Sequence, residues 1–302
     1  MFLSMHNWMR AEPIDVTIRR LARCGYHSIE IEGEPSKYDT KEVRKLLKEH
    51  KLFCFGSVSL MFAGRDLIHA DEAVRASTVQ YLKDCITMVK ELEGREMTIV
   101  PSQVGKVNAM ASEEEEWGWA VEGLREIYGH SEKAGVVIGI EPLNRFETNF
   151  LNRHDQALML AEAVGPNCGI CLDAFHINIE ESDLYQAILN SAPRLRAFHV
   201  ADNNRMAPGQ GDYDWVRLLT TLKAAGYNDA LTVEFVAPLD RTPANPYKNA
   251  KASAEAELTP EQLKFIEDHA SGVLSDEFYS WLVDESAKTL RRAMERVGVL
   301  DS

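Results

Sequence analysis

VVIGIEPL (residues 136–143), CGICLDAFH (168–176), RLRAFHVAD (194–202) and ALTVEFVAP (230–238) share one pattern, an apolar run that ends on an ionisable side chain. Those ends are Glu141, Asp173, His199 and Glu234. Runs of this kind are buried on both faces as parallel strands, and a charged group at such an end needs water, a partner charge or a metal. One of them alone would be an ordinary satisfied polar group. Four in matching positions read as a ligand set of three carboxylates and one imidazole.

Working outward from these runs, helical periodicity follows each strand: His154 to Val164, Asp183 to Leu189, Trp215 to Ala225, and a final helix near Phe278 to Arg296. The N-terminal half keeps the same alternation. FLSMHNW precedes a helix from Ile14 to Cys24, SIEIEGE one from Thr40 to His50, FCFGSVSL one from Asp71 to Leu92, and EMTIVPS one from Glu113 to Ala134. Ser112 ahead of four glutamates is an N-terminal cap with acids in the first turn, where the helix dipole favours them. Gly25, Gly165 and Gly226 read as helix stops. Eight β/α units without a linker make residues 1–302 one domain, an α/β chain of (β/α)8 barrel type, with a doubly wound open sheet as the other topology giving this alternation. In a barrel, residues at the C-terminal ends of neighbouring strands converge, so Glu141, Asp173, His199 and Glu234 would meet over strands five to eight. Three oxygens and one nitrogen, with room for water or substrate, suit Mn²⁺, Mg²⁺ or Co²⁺ better than a structural zinc site.

Composition narrows the partners. A net charge of −14 argues against nucleic acid, and no apolar run is long enough to span a membrane. The start, interrupted early by His6, Asn7 and Arg10, does not read as a secretory signal, and five scattered cysteines suggest reduced thiols in the cytoplasm. Cys168 and Cys171 form a C-x-x-C without a second pair, which reads as buried structural thiols.

The segments EPLNRFET (141–148), LDAFHINIEE (172–181), HVADNNRMAPGQG (199–211) and VEF (233–235) resemble the motifs of the ketose 3-epimerases, a branch of the xylose-isomerase-like TIM-barrel superfamily that includes D-tagatose and D-allulose 3-epimerases. The resemblance covers strands five to eight. It implies that the four strand-end residues hold one divalent metal, Mn²⁺ first and Co²⁺ or Mg²⁺ next. Glu141 and Glu234 would also exchange protons with the substrate carbon, and Glu147, His176 and Arg205 would contact the sugar. A homo-oligomer is expected.

Proton removal next to a carbonyl also permits other outcomes. The barrel subunit of a C-glycoside deglycosidase would eliminate an aglycone from a 3-oxo-glycoside, with a smaller partner subunit. An apurinic-endonuclease-like phosphodiesterase would need a His-rich zinc cluster and a basic face, and a non-catalytic sugar-binding barrel would not need a full acid/base set. Pro208-Gly209-Gln210-Gly211, ahead of a helix capped by Asp214, reads either as a loop that bends Arg205 inward or as a plain glycine turn. The segment from Val236 to about Ser275 is long for a βα loop and departs from the family pattern. It carries Arg241 and Tyr247 and a capping box at Thr259 to Gln262, and would cover a larger ligand or make a subunit contact.

Overall fold

The computed structural model describes residues 1–62, 64–236, 242–244, 247 and 274–299. Among them, eight parallel strands run in the order β1-β8-β7-β6-β5-β4-β3-β2. They are β1 (Phe2–Met5), β2 (Ser28–Glu32), β3 (Phe53–Val58), β4 (Glu96–Ile99), β5 (Val137–Ile140), β6 (Gly169–Asp173), β7 (Leu195–Val200) and β8 (Ala230–Val233). The two ends of this sheet meet. His27 N donates to Leu3 O at 3.0 Å, and His6 and Glu30 form a parallel bridge. The sheet therefore closes on itself as a (β/α)8 barrel, and the open-sheet alternative falls away.

The period of two along each strand sorts the side chains. Register pairs place Phe2 beside Ala230, Ser4 beside Thr232, Cys171 beside Ala197 and Asp173 beside His199, so these residues share the inner face. The alternate positions, such as Leu3, Ile170, Phe198 and Leu231, join the main core between strands and helices. A small separate cluster of Phe55, Cys171, Ala197 and Ala230, with Phe2 against it, fills the barrel near the strand starts. Above it the interior turns polar, with Ser4, Glu30, Glu96, Thr98 and Thr232 fully or almost fully buried. Burial, reinforced by the charge of Glu30, pushes the Glu96 carboxyl well above the usual range, and Thr98 Oγ1 donates to both of its oxygens at 3.0 and 3.2 Å. Gly139 makes room for it, since a Cβ there would lie 2.7 Å from Glu96 Oε1.

Helix boundaries fall within a residue or two of those expected. Examples are α1 (Ile14–Arg23), α2 (Thr40–Glu49), α3 (Glu72–Glu91), α4 (Glu113–Ala134) and α5 (His154–Val164). Ser112 and Glu115 complete a capping box on α4. Glu116, the fourth acid of that turn, is buried instead of solvated and accepts from Met110 N at 2.8 Å. Gly25 and Gly226 take left-handed φ values of 73° and 75°, whereas Gly165 ends α5 in extended backbone, so it is not a left-handed stop. The sixth unit carries two helices where the sequence suggested one. α6 (Ala174–Glu180) starts directly on Asp173, which caps it by accepting from Phe175 N, and α7 (Leu184–Ser191) follows. α8 (Trp215–Ala224) is capped by Asp214 as expected, and a last helix spans Asp276–Val297. None of the described helices is long and apolar enough to cross a membrane.

Candidate metal centre and sugar pocket

Each strand delivers its ionisable group at its C-terminal end. Glu141 follows β5, with its N–H on Ile99 O at 3.0 Å, and Glu234 follows β8, with its N–H on Val200 O at 3.0 Å. Asp173 closes β6 and His199 is the penultimate residue of β7. One donor atom from each of the four lies within 4.8 Å of the others, and all four side chains are buried. His199 Nδ1 sits 3.2 Å from Glu141 Oε1 and 3.3 Å from Glu234 Oε2.

The electrostatics of this cluster suit a divalent cation. Burial drives the Glu141 carboxyl up to about 7 even with His199 beside it. Burial would also raise Glu234, but His6, Arg205 and His199 outweigh it and hold that carboxyl well below the usual range. His199 stands well above the ordinary imidazole value because Cys171, Glu141, Glu30 and Glu234 overcome its burial. Three buried carboxylates facing one imidazole leave excess negative charge, which a cation bound to hard oxygen and nitrogen donors would neutralise. The donor set and its spacing therefore fit a divalent metal.

Around the cluster, Arg205 forms an ion pair with Asp173 Oδ2 and approaches Glu234 Oε2 at 3.4 Å, while its guanidinium lies 4.9 Å over the Phe175 ring. Its backbone is left-handed, at φ 62°, and is held by Arg205 N on Asp202 O and Val236 N on Arg205 O, both at 2.9 Å. Asp202 organises this loop further by accepting from Gly209 N at 2.7 Å and Tyr213 N at 3.0 Å. Gly211 permits that arrangement, because a Cβ there would come within 2.6 Å of Asp202 Oδ1.

His176 and Glu147 are joined through buried Asn144. Its backbone N–H and its Nδ2 both donate to His176 Nδ1, at 3.2 and 2.8 Å, and Nδ2 also donates to Glu147 Oε1 at 2.8 Å. Burial lowers the His176 pKa, so a neutral ring with its proton on Nε2 results.

A cavity of about 420 Å³ opens above the cluster. Glu141, Glu147, His176, Arg205 and Glu234 form its polar side, and Trp8, Leu60, Met61, Val104 and Phe175 are among its apolar lining. Asp173 and His199 do not line it, so the seven residues singled out in the sequence divide into five that face the cavity and two that do not. Tyr247 does not line it either. Its hydroxyl reaches Gln210 Oε1 at 3.3 Å and its ring packs against Phe278 and Trp281 on the last helix, while Arg241 and the expected capping box at Thr259 to Gln262 lie outside the described residues.

Several contributors carry no sequence motif. Trp8 Nε1 donates to Glu234 Oε1 at 3.0 Å, and His6 Nε2 lies 3.7 Å from the same oxygen. Glu30 Oε1 lies 3.3 Å from His199 Nε2. Cys171, read as a structural thiol, is buried and unpaired but offers its sulfur near Glu141 and His199. The available signals were a carboxylate inside the apolar run SIEIE and a polar end to FLSMHNW.

Residues 18–269 match the xylose isomerase-like TIM barrel family. An L-ribulose 3-epimerase of Mesorhizobium japonicum is 30% identical over 73% of this chain and 75% of its own length. A ketose 3-epimerase of Arthrobacter globiformis is 28% identical over 74% and 78%. The crystal structure of D-allulose 3-epimerase from Methylomonas sp. in complex with D-allulose superposes with a TM-score of 0.79 at 23% identity, covering 98% of this chain and 96% of that one. With the barrel, the strand-end cluster and these likenesses in hand, the chain belongs to the xylose isomerase-like TIM barrel family.

Proposed function

We propose that the chain is a divalent-metal-dependent ketose 3-epimerase that works by proton transfer at the carbon next to a sugar carbonyl. One observation carries the reading: of the four clustered residues, only Glu141 and Glu234 face the cavity, and they rise from β5 and β8. Two carboxylates arranged in this way can flank a bound ketose, one removing a proton and the other returning one to the opposite face. Glu141, Asp173, His199 and Glu234 would hold the ion, Mn²⁺ first and Co²⁺ or Mg²⁺ next. When bound, it supplies positive charge that lowers the cost of the enediolate.

The remaining residues bind and orient. His176 presents its Nε2–H and Arg205 its guanidinium as donors to sugar oxygens, and Glu147 accepts from a hydroxyl. Arg205 also lies 3.4 Å from Glu234 Oε2, where its charge favours the ionised carboxylate that can act as a base. The apolar wall excludes water from the reacting carbon. A single domain, a homo-oligomer and a cytoplasmic location complete the reading.

The test is incubation of Mn²⁺- or Co²⁺-loaded protein with free ketoses in deuterated water. The expected product is the 3-epimer with solvent deuterium at that carbon. Absence of both conversion and exchange with every free ketose would refute the assignment.

A further inference from the structure

We propose that Glu30 is a positioning residue for His199, presenting Nδ1 of that ring to the metal by binding Nε2 from below. This rests on the metal-holding role proposed for His199. Glu30 belongs to β2, which carries no ligand motif and is separated from β8 by β1, and the register bridge to His6 sets it at the closing seam. Glu30 and His199 are fully buried, and Glu30 Oε1 lies 3.3 Å from His199 Nε2.

The opposite ring nitrogen points into the cluster, 3.2 Å from Glu141 Oε1 and 3.3 Å from Glu234 Oε2. An imidazole offers one nitrogen to a metal and one N–H to a neighbour, and the neighbour that accepts the N–H decides which nitrogen is which. Glu30 fills that role here. The His6 ring stands edge-on to His199, with centroids 4.6 Å apart and planes at 85°, and packs against that ring. The half of the barrel without a ligand motif thus sets the orientation of the only nitrogen donor in the proposed set.

The experiment measures Mn²⁺ binding by titration calorimetry in wild type, Glu30→Gln and Glu30→Leu, with melting curves to verify folding. The Kd rises by roughly 10–100-fold, with Gln at the lower end because its amide oxygen still accepts a hydrogen bond. NMR of isotope-labelled wild type loaded with Cd²⁺ reads the ring directly, and shows cadmium coupling on His199 Nδ1 and the proton on Nε2. An unchanged Kd in folded Glu30→Gln, or cadmium coupling on Nε2, overturns the inference while leaving the metal reading standing. Wild-type protein that binds no divalent ion overturns both. If Glu30→Leu does not fold, the Gln variant and the wild-type spectrum still decide.

Discussion

Replacing Asn144 with Ala separates the proposed sugar contacts, His176 and Glu147, from the proposed metal ligands. The substitution removes three side-chain hydrogen bonds: Nδ2 to His176 Nδ1 at 2.8 Å, Nδ2 to Glu147 Oε1 at 2.8 Å, and Phe146 N to Oδ1 at 3.0 Å. The backbone N–H of residue 144 still reaches His176 Nδ1 at 3.2 Å, so the histidine keeps its tautomer and loses only part of its anchoring. The bond to Glu147 has a carboxylate acceptor, worth about 1.5–3 kcal/mol, and the neutral bond to His176 adds about 0.5–1.5 kcal/mol. If most of that orientation energy is expressed when substrate binds and reacts, kcat/KM for epimerisation falls by about 30- to 1000-fold, since about 1.4 kcal/mol is a factor of ten. None of the four clustered donors is bonded to Asn144, so Mn²⁺ affinity should match wild type. Steady-state kinetics and calorimetry on one preparation test both halves. A kcat/KM close to wild type would show that neither His176 nor Glu147 depends on Asn144, and an equal loss of metal would show that the two groups of residues are not separable.

Glu141→Gln and Glu234→Gln should each lower turnover by several orders of magnitude, measured by product formation at saturating metal, because each loses a proton-transfer oxygen and a proposed ligand. Retention of near-normal turnover by either variant would remove it from the mechanism. Chelation should abolish activity, with Mn²⁺ or Co²⁺ restoring it; full activity after verified metal removal contradicts the metal reading. Away from the site, Arg20 is buried and pairs with Glu12, Asp276 at 2.6 Å and Ser280 at 2.9 Å, tying α1 to the last helix. Arg20→Ala should destabilise the fold by about 3–5 kcal/mol in urea denaturation, and a loss below 1 kcal/mol would mean solvent replaces those contacts.

The barrel was legible because each strand's outward face is apolar and each helix is bounded by ordinary caps such as Ser112 and Asp214. The four strand-end residues stood out because a charge after a buried run is costly and therefore conspicuous. Glu30 did not stand out. In SIEIE, alternation alone assigns the glutamates to a solvated face as readily as to an interior, and only closure of β1 against β2 shows that Glu30 points inward. Trp8 and His6 were hidden because their roles depend on reaching Glu234 across more than two hundred residues of chain. Asn144 sits in EPLNRFET as an unremarkable polar residue, and its partner His176 belongs to a different β/α unit. The first helix of unit six, α6, was missed because Asp173, read as a ligand, is at the same time that helix's cap.

Glu141 and Glu234 line the cavity, whereas Asp173 and His199 cluster with them without lining it. On the proposed roles, a sugar seated in this cavity lies against the two carboxylates that hold the ion. A seated sugar then acts as a stopper. Substrate added before metal should delay activation, whereas substrate added afterwards should slow the stripping of metal by chelators, so that the enzyme holds its ion most firmly while it is working.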